Sequence, residues 1–168
     1  MPLIEIHTRI DCDVKTCFDL ARNIDIHKES LKHTGEIAIA GKTTGLIELG
    51  EWVSWEAKHL GFVQHLTSKI TEFESPNYFV DEMVLGAFKS FRHEHIFYKV
   101  DDKTLMIDKF HFESPFGLLG QTANILFLKR YMKKLLKTRN KLLKKEAEKI
   151  CKDRLKSLKL SRQELIQL

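Results

Sequence analysis

Two imidazoles and two carboxylates are the residues of this chain best suited to chemistry. His93 and His95 stand two apart, and Asp81 and Asp108 lie in neighbouring segments rich in phenylalanine. Residues two apart on an extended strand share a face, so both imidazoles point the same way as Phe91 and Phe97. A carboxylate among phenylalanines is costly to bury unless it is paired. The imidazoles are its natural partners. Such a pair has three uses: to anchor the polar end of a ligand, to move a proton, or to form an internal network that only fixes the fold. Anchoring is the preferred role. General acid–base chemistry by His95 with Asp108 or Asp81 is the alternative, and the balance leans away from an enzyme. His93 and His95 with an acid also have the types a metal ion needs, but His-x-His on a strand is a weak signal and the aromatic surroundings argue against an ion. Neither a metal nor another cofactor is expected. Elsewhere, no serine sits in a glycine-flanked elbow. The segment Gly41–Gly50 lacks the Gly-Lys-Ser/Thr of a phosphate loop. His7, His27 and His33 read as surface or loop residues, and Trp52 as an outer or edge residue.

The elements that position these groups follow from periodicity. Leu3–Ile10 alternates as a strand, and Asp11 or Asp13 can cap a short helix from Val14 to about Arg22. A second short helix over Asp25–Leu31 and a strand over Gly35–Ala40 come next. Trp52–His59 and the run from Phe62 pair through a Leu60-Gly61 turn, with residue 59 opposite 62 and Glu56 opposite His65. Their inner face carries Trp55 and Gln64. Tyr78–Met83 turns Phe79 and Asp81 inward. In the next hairpin a turn at Asp102-Lys103 sets 97 opposite 108 and 95 opposite 110, with Arg92 facing Glu113 and Glu94 facing His111. The inner face is then Phe91, His93, His95, Phe97, Asp108, Phe110 and Phe112, with His95 a diagonal neighbour of Asp108.

After Pro115 and Gly117, apolar residues recur at helical spacing for some thirty residues or more, including Ile125/Leu126, Met132, Leu135/Leu136, Leu142/Leu143 and Ala147. Residues 129–160 hold 14 Lys and Arg against three acids, whereas the whole chain is only +5, so the remainder is net acidic. A basic helix can attract nucleic acid or anionic lipid. The plainer reading is a solvated face opposite an apolar stripe. No nucleic-acid partner is expected; a weak membrane-surface contact, or docking on a partner protein, is the alternative role of this helix. At 168 residues, 43% hydrophobic and 30% charged, the chain suits one domain with its own core. Residues 1–150 are expected to form it, with 151–168 a helical extension or tail. No run approaches the ~20 apolar residues of a membrane span, and the first residues lack a signal pattern. Cys12, Cys17 and Cys151 are expected to be reduced thiols of a cytoplasmic protein, with Cys12–Cys17 the only oxidised pair considered.

The order of elements resembles the START-like superfamily, which includes birch-pollen-allergen-like proteins and polyketide cyclases. The resemblance spans residues 3–150. It is carried by Val14 and Phe18 after the first strand, Gly86-x-Phe88, His93-x-His95-x-Phe97, Thr104-x-Met106-x-Asp108 and Pro115-Phe-Gly-Leu-Leu-Gly120 leading into the helix. It implies an α+β helix-grip fold: a curved seven-stranded antiparallel sheet around a long C-terminal helix, with two short helices after the first strand. It also implies a hydrophobic small molecule, lipid-like or polycyclic, held between sheet and helix. The expected contacts are Trp55, Gln64, Phe79, Asp81, Phe91, His93, His95, Phe97, Asp108, Phe110, Phe112 and Phe116. Fold alone does not identify the ligand or separate carrier from enzyme.

Overall fold

The alternation at the start of the chain becomes strand β1 (Leu3–Ile10), which buries Ile4, Ile6 and Ile10. The structure is a computed structural model and describes residues 2–59, 61–113 and 121–166. Asp13 accepts the Thr16 backbone N–H at 2.9 Å and caps α1 (Val14–Ala21). Asn23 caps α2 (Ile24–Ser30) in the same manner, and a 3-10 turn (Lys32–Thr34) leads into β2 (Ile37–Gly41). There follow β3 (Trp52–His59), β4 (Phe62–Glu74), β5 (Tyr78–Leu85), β6 (Ser90–Val100), β7 (Lys103–Glu113) and the helix α3 (Gln121–Ile166). The strands form one antiparallel sheet in the order β1-β7-β6-β5-β4-β3-β2. Register shifts between β4 and β5 and between β2 and β3 bend the sheet, because an unpaired residue increases local twist. The curved sheet, the long C-terminal helix and the two short helices after β1 are the α+β arrangement expected.

One hairpin has the expected register and the other does not. In β3–β4, His59 pairs with Phe62 and Glu56 with His65, whose Nε2 lies 2.9 Å from Glu56 Oε2. Leu60 lies outside the described residues. In β6–β7 the turn is Asp101-Asp102, so Val100 pairs with Lys103 and His95 directly with Asp108. Asp101 adopts a left-handed φ of 56°, which aspartate tolerates better than most residues, and this draws the turn one residue earlier. Partners therefore shift by two, which keeps every face and changes every pair. The expected Arg92–Glu113 and Glu94–His111 pairs are replaced. Arg92 instead reaches Glu72 at 2.8 Å and Glu82 at 3.0 Å, and Glu94 faces Lys109.

The core has two apolar clusters. One joins Phe18, Trp55, Phe79, Phe97 and Met106 to Leu143 and Ala147 of α3. The other joins Ile4, Ile6, Phe91, Phe110 and Phe112 to Leu136. The cysteine reading is corrected. Cys12, just after β1, is bonded to Cys151 on α3, with their Cα atoms 5.6 Å apart across 139 residues of sequence. Only the tertiary fold brings them together, so spacing could not show it. Cys17 is free, on the buried face of α1, and burial pushes its thiol up to about 11. The cytoplasmic expectation rested on three reduced thiols and loses that support. Among the described residues no helix is long and apolar enough to cross a membrane.

Candidate functional site

Strands β5, β6 and β7 lie side by side, and their registers bring four ionisable side chains to one spot. Asp81 pairs with His93 across β5–β6, and His95 with Asp108 across β6–β7. The spot is where the two apolar clusters meet: Phe79 stacks on His95 with centroids 4.2 Å apart, and Phe110 meets His93 edge-on at 5.3 Å. His95 Nε2 lies 2.9 Å from Asp81 Oδ1. Its Nδ1 is 2.8 Å from Asp108 Oδ1 but outside hydrogen-bonding alignment. His93 Nε2 lies 3.2 Å from Asp108 Oδ1, and its Nδ1 is 3.6 Å from Asp81 Oδ1.

Asp108 is fully buried and draws its remaining partners from α3. Asn140 Nδ2 donates to Asp108 Oδ2 at 2.6 Å, and Arg139 Nη1 stands 3.4 Å from Oδ1. Arg139 Nη2 also donates to the Ala21 carbonyl at the end of α1, at 3.0 Å. Burial pushes the Asp108 carboxyl up, but the two imidazoles and the Arg139 guanidinium outweigh it and hold the group well below the usual carboxylate range. Asp81 moves down for the same reasons. Burial and the neighbouring His95 push His93 down to about 4, so at neutral pH it is an uncharged ring. Since ionised Asp108 can only accept, His93 Nε2 carries the hydrogen and Nδ1 the lone pair.

Of these groups Asp81, His93, His95 and Arg139 line a cavity of about 390 Å³ between the sheet and α3. Of the residues expected to touch a ligand, Trp55, Gln64, Phe79, Asp81, Phe91, His93, His95 and Phe110 line it. Phe97, Asp108 and Phe112 are buried on the same sheet face but are not part of the lining, and Phe116 lies outside the described residues. Alternation assigns a face. Depth along the strand relative to α3 decides what reaches the space.

Several lining residues were not singled out from the sequence. His27, read as a surface residue, packs at a tilt of 31° against Trp55 with centroids 4.5 Å apart, and its Nε2 lies 3.0 Å from Glu36 Oε1. Its spacing from Ile24 and Leu31 on α2 was the available signal, since i, i+3 and i+7 share a helix face. His59 Nδ1 lies 2.8 Å from the Tyr131 hydroxyl. Arg139 entered only through the basic count of residues 129–160 and Asn140 not at all, yet both are buried. They fall where the apolar rhythm between Leu135/Leu136 and Leu142/Leu143 requires a buried pair. A polar interruption at that phase was the sign of an internal partner.

The arrangement can hold a polar group by hydrogen bonds from a mostly apolar cavity, or bind a cation. Asp81, His93 and His95 each offer a ligand atom within 4.8 Å of the others. No protein-family model matches the sequence, nor does any curated protein. Solved structures do. A Thermus thermophilus protein superposes with a TM-score of 0.66 at 16% identity, over 84% of this chain and 97% of that one. A START superfamily protein from Mycobacterium smegmatis gives 0.65 at 11% identity, over 88% and 98%. Ginseng major latex-like protein 151 from Panax ginseng gives 0.62 at 14% identity, over 87% and 97%. At such identities the likeness is one of fold. The chain has the START-like helix-grip fold.

Proposed function

We propose that the protein binds a hydrophobic small molecule, lipid-like or polycyclic, in the cavity between the sheet and α3. The observation that carries this is the cavity's make-up. A volume of about 390 Å³ is bounded largely by apolar and aromatic side chains, with the Asp81–His93–His95 group at its inner end. Small-molecule sites typically enclose about 300–1,000 Å³ with a few orienting polar groups. Residues 1–150 supply the whole binding unit in this reading, and 151–168 extend the helix. Native mass spectrometry of the purified full chain tests it. The expected result is a mass excess that denaturation removes, or saturable uptake of an apolar fluorescent dye that Ala57→Trp abolishes by filling the space. A chain of bare mass that takes up no dye would refute it. If His95 instead moves a proton against Asp81, His95→Gln loses turnover and keeps some binding; a carrier loses affinity alone.

A second surface favours a second reading. α3 continues to Ile166, with Leu155, Leu158 and Leu160 exposed among Lys152, Lys156 and Lys159. We infer weak contact of this segment with an anionic membrane surface. Full chain should co-sediment with anionic vesicles at low salt, and a chain ending at residue 150 should not. Equal sedimentation of both rejects the contact.

A further inference from the structure

We propose that Asp81, His93 and His95 bind a first-row divalent cation of the Zn²⁺ or Fe²⁺ type at the inner end of the cavity. The site is independent of what fills the apolar part. Each imidazole shows one nitrogen to Asp81 and the other to Asp108. For His93 these are Nδ1, 3.6 Å from Asp81 Oδ1, and Nε2, 3.2 Å from Asp108 Oδ1. For His95 they are Nε2 at 2.9 Å and Nδ1 at 2.8 Å. A metal-ligating histidine usually gives its other N–H to a carboxylate, which sets its tautomer and ring plane. Asp108 stands in that position behind His93, and lies 2.8 Å from His95 Nδ1 without the alignment of a hydrogen bond.

The spacing fits as well. Ligand atoms of a tetrahedral cation with bonds of about 2.0–2.2 Å lie about 3.3–3.6 Å apart. The two separations from Asp81 Oδ1, 2.9 Å and 3.6 Å, bracket that range. A cation would replace the hydrogen now shared between His95 Nε2 and Asp81. His93 Nδ1 has no hydrogen-bond partner among the described residues, so its lone pair is free to ligate. Two imidazoles and one carboxylate leave a coordination position open towards the cavity, the pattern of sites that hold Zn²⁺ or Fe²⁺ with an exchangeable ligand. Calcium and magnesium, which prefer six or more oxygens, do not suit this set.

The arrangement also gives Arg139 and Asn140 a purpose. Both bind Asp108 from α3, so the orienting carboxylate is fixed and its charge is answered. Asp81, by contrast, has no cationic side chain of lysine or arginine bonded to it among the described residues. His-x-His alone is a weak signal. The third ligand and the carboxylate behind the rings come from the adjacency of β5, β6 and β7, which spacing along the chain does not reveal.

The test uses the full chain with its disulfide closed, free of any histidine tag and stripped with a chelator. Co²⁺ is titrated and followed by its visible ligand-field bands, and Zn²⁺ is counted by elemental analysis after dialysis. One ion per chain is expected. Asp108→Asn should weaken binding about 10–100-fold, as loss of such an orienting partner does, and Asp81→Asn or His95→Gln by at least as much. Circular dichroism checks each variant's fold. If the buried histidine variants unfold, Asp81→Asn decides, because that side chain is 20% exposed and borders the cavity. Failure to retain either ion overturns the proposal. So does retention that Asp81→Asn leaves unchanged, which marks an adventitious surface ion. Dye uptake by the same metal-free protein reports on the cavity separately.

Discussion

Replacing Arg139 by Met removes the one guanidinium that faces Asp108 while keeping a stem of similar length. At 3.4 Å and an effective dielectric of about 20, the lost attraction is about 5 kcal/mol. Part of this is returned, because the arginine need no longer be stripped of water. Removing one member of a buried ion pair costs about 3–5 kcal/mol in net terms. Both side chains qualify as buried, at 7% and 0% exposure. For a chain of this size about 2–4 °C is lost per kcal/mol, so the melting temperature should fall by about 6–20 °C. Urea unfolding followed through the fluorescence of Trp52 and Trp55 gives the free energy directly. Adding Asp108→Asn should then cost less than in the wild-type background, because the charge left unanswered by Arg139→Met is gone. A loss under about 1 kcal/mol, or strict additivity of the two changes, would refute the claim that Arg139 answers Asp108.

The Cys12–Cys151 bond closes 139 residues, for which chain entropy gives about 5 kcal/mol as an upper figure and 2–5 kcal/mol as the usual measured range. Cys151→Ser should lower the unfolding free energy by that range; a reductant should do the same to the wild type and nothing to the variant, and equal stability of all three forms would reject the staple. The Asp13 cap gives a pH signature. Burial pushes its carboxyl up, but the backbone and hydroxyl bonds from Thr16 and the Arg154 charge bring it below the ordinary value. A depressed folded-state pKa means stability that is present above the unfolded carboxylate range and lost as pH falls through the folded value. Asp13→Ala should therefore cost about 1 kcal/mol at pH 7 and progressively less below about pH 4, whereas Asp13→Asn, an equally good cap, should be nearly silent at pH 7. A cost for Asp13→Ala that does not change with pH would count against the ionised cap.

The helix-grip order was legible because each element announces itself locally: alternation in β1, the Glu56/His65 pair across β3–β4, the apolar stripe of α3. The errors lie where several local solutions were equally good. Asp101, Asp102 and Lys103 can all sit in a two-residue turn, and complementary charges such as Arg92 and Glu113 made the wrong choice attractive. The faces survived because the error was two residues, so the polar–aromatic wall was identified with its direct pairs misassigned. Arg139 vanished into the charge of a lysine-rich helix and Asn140 into its polar residues, although the phase of the stripe placed both inward. Cys12 and Cys151 carried no local signal at all.

On the proposed reading, the residue that separates a site from a structural network is Asp81. Burying Asp108 requires partners, and Arg139, Asn140 and the imidazoles supply them, so the fold's own need is met on the β7–α3 side. A second carboxylate on β5, in contact with the same two rings, adds like charge to a cluster that already holds one. Two carboxylates around shared imidazoles destabilise each other unless a cation or a donor joins them. Asp81 is also the member of the group with the most exposed side chain, at 20%, and it lines the cavity. It also accepts from His95 Nε2 at 2.9 Å, the one hydrogen bond of that ring among the described residues. On the proposed reading, what enters from the cavity side meets Asp81 first, which is why Asp81→Asn, and not a change at the buried Asp108, separates an occupied site from a structural network.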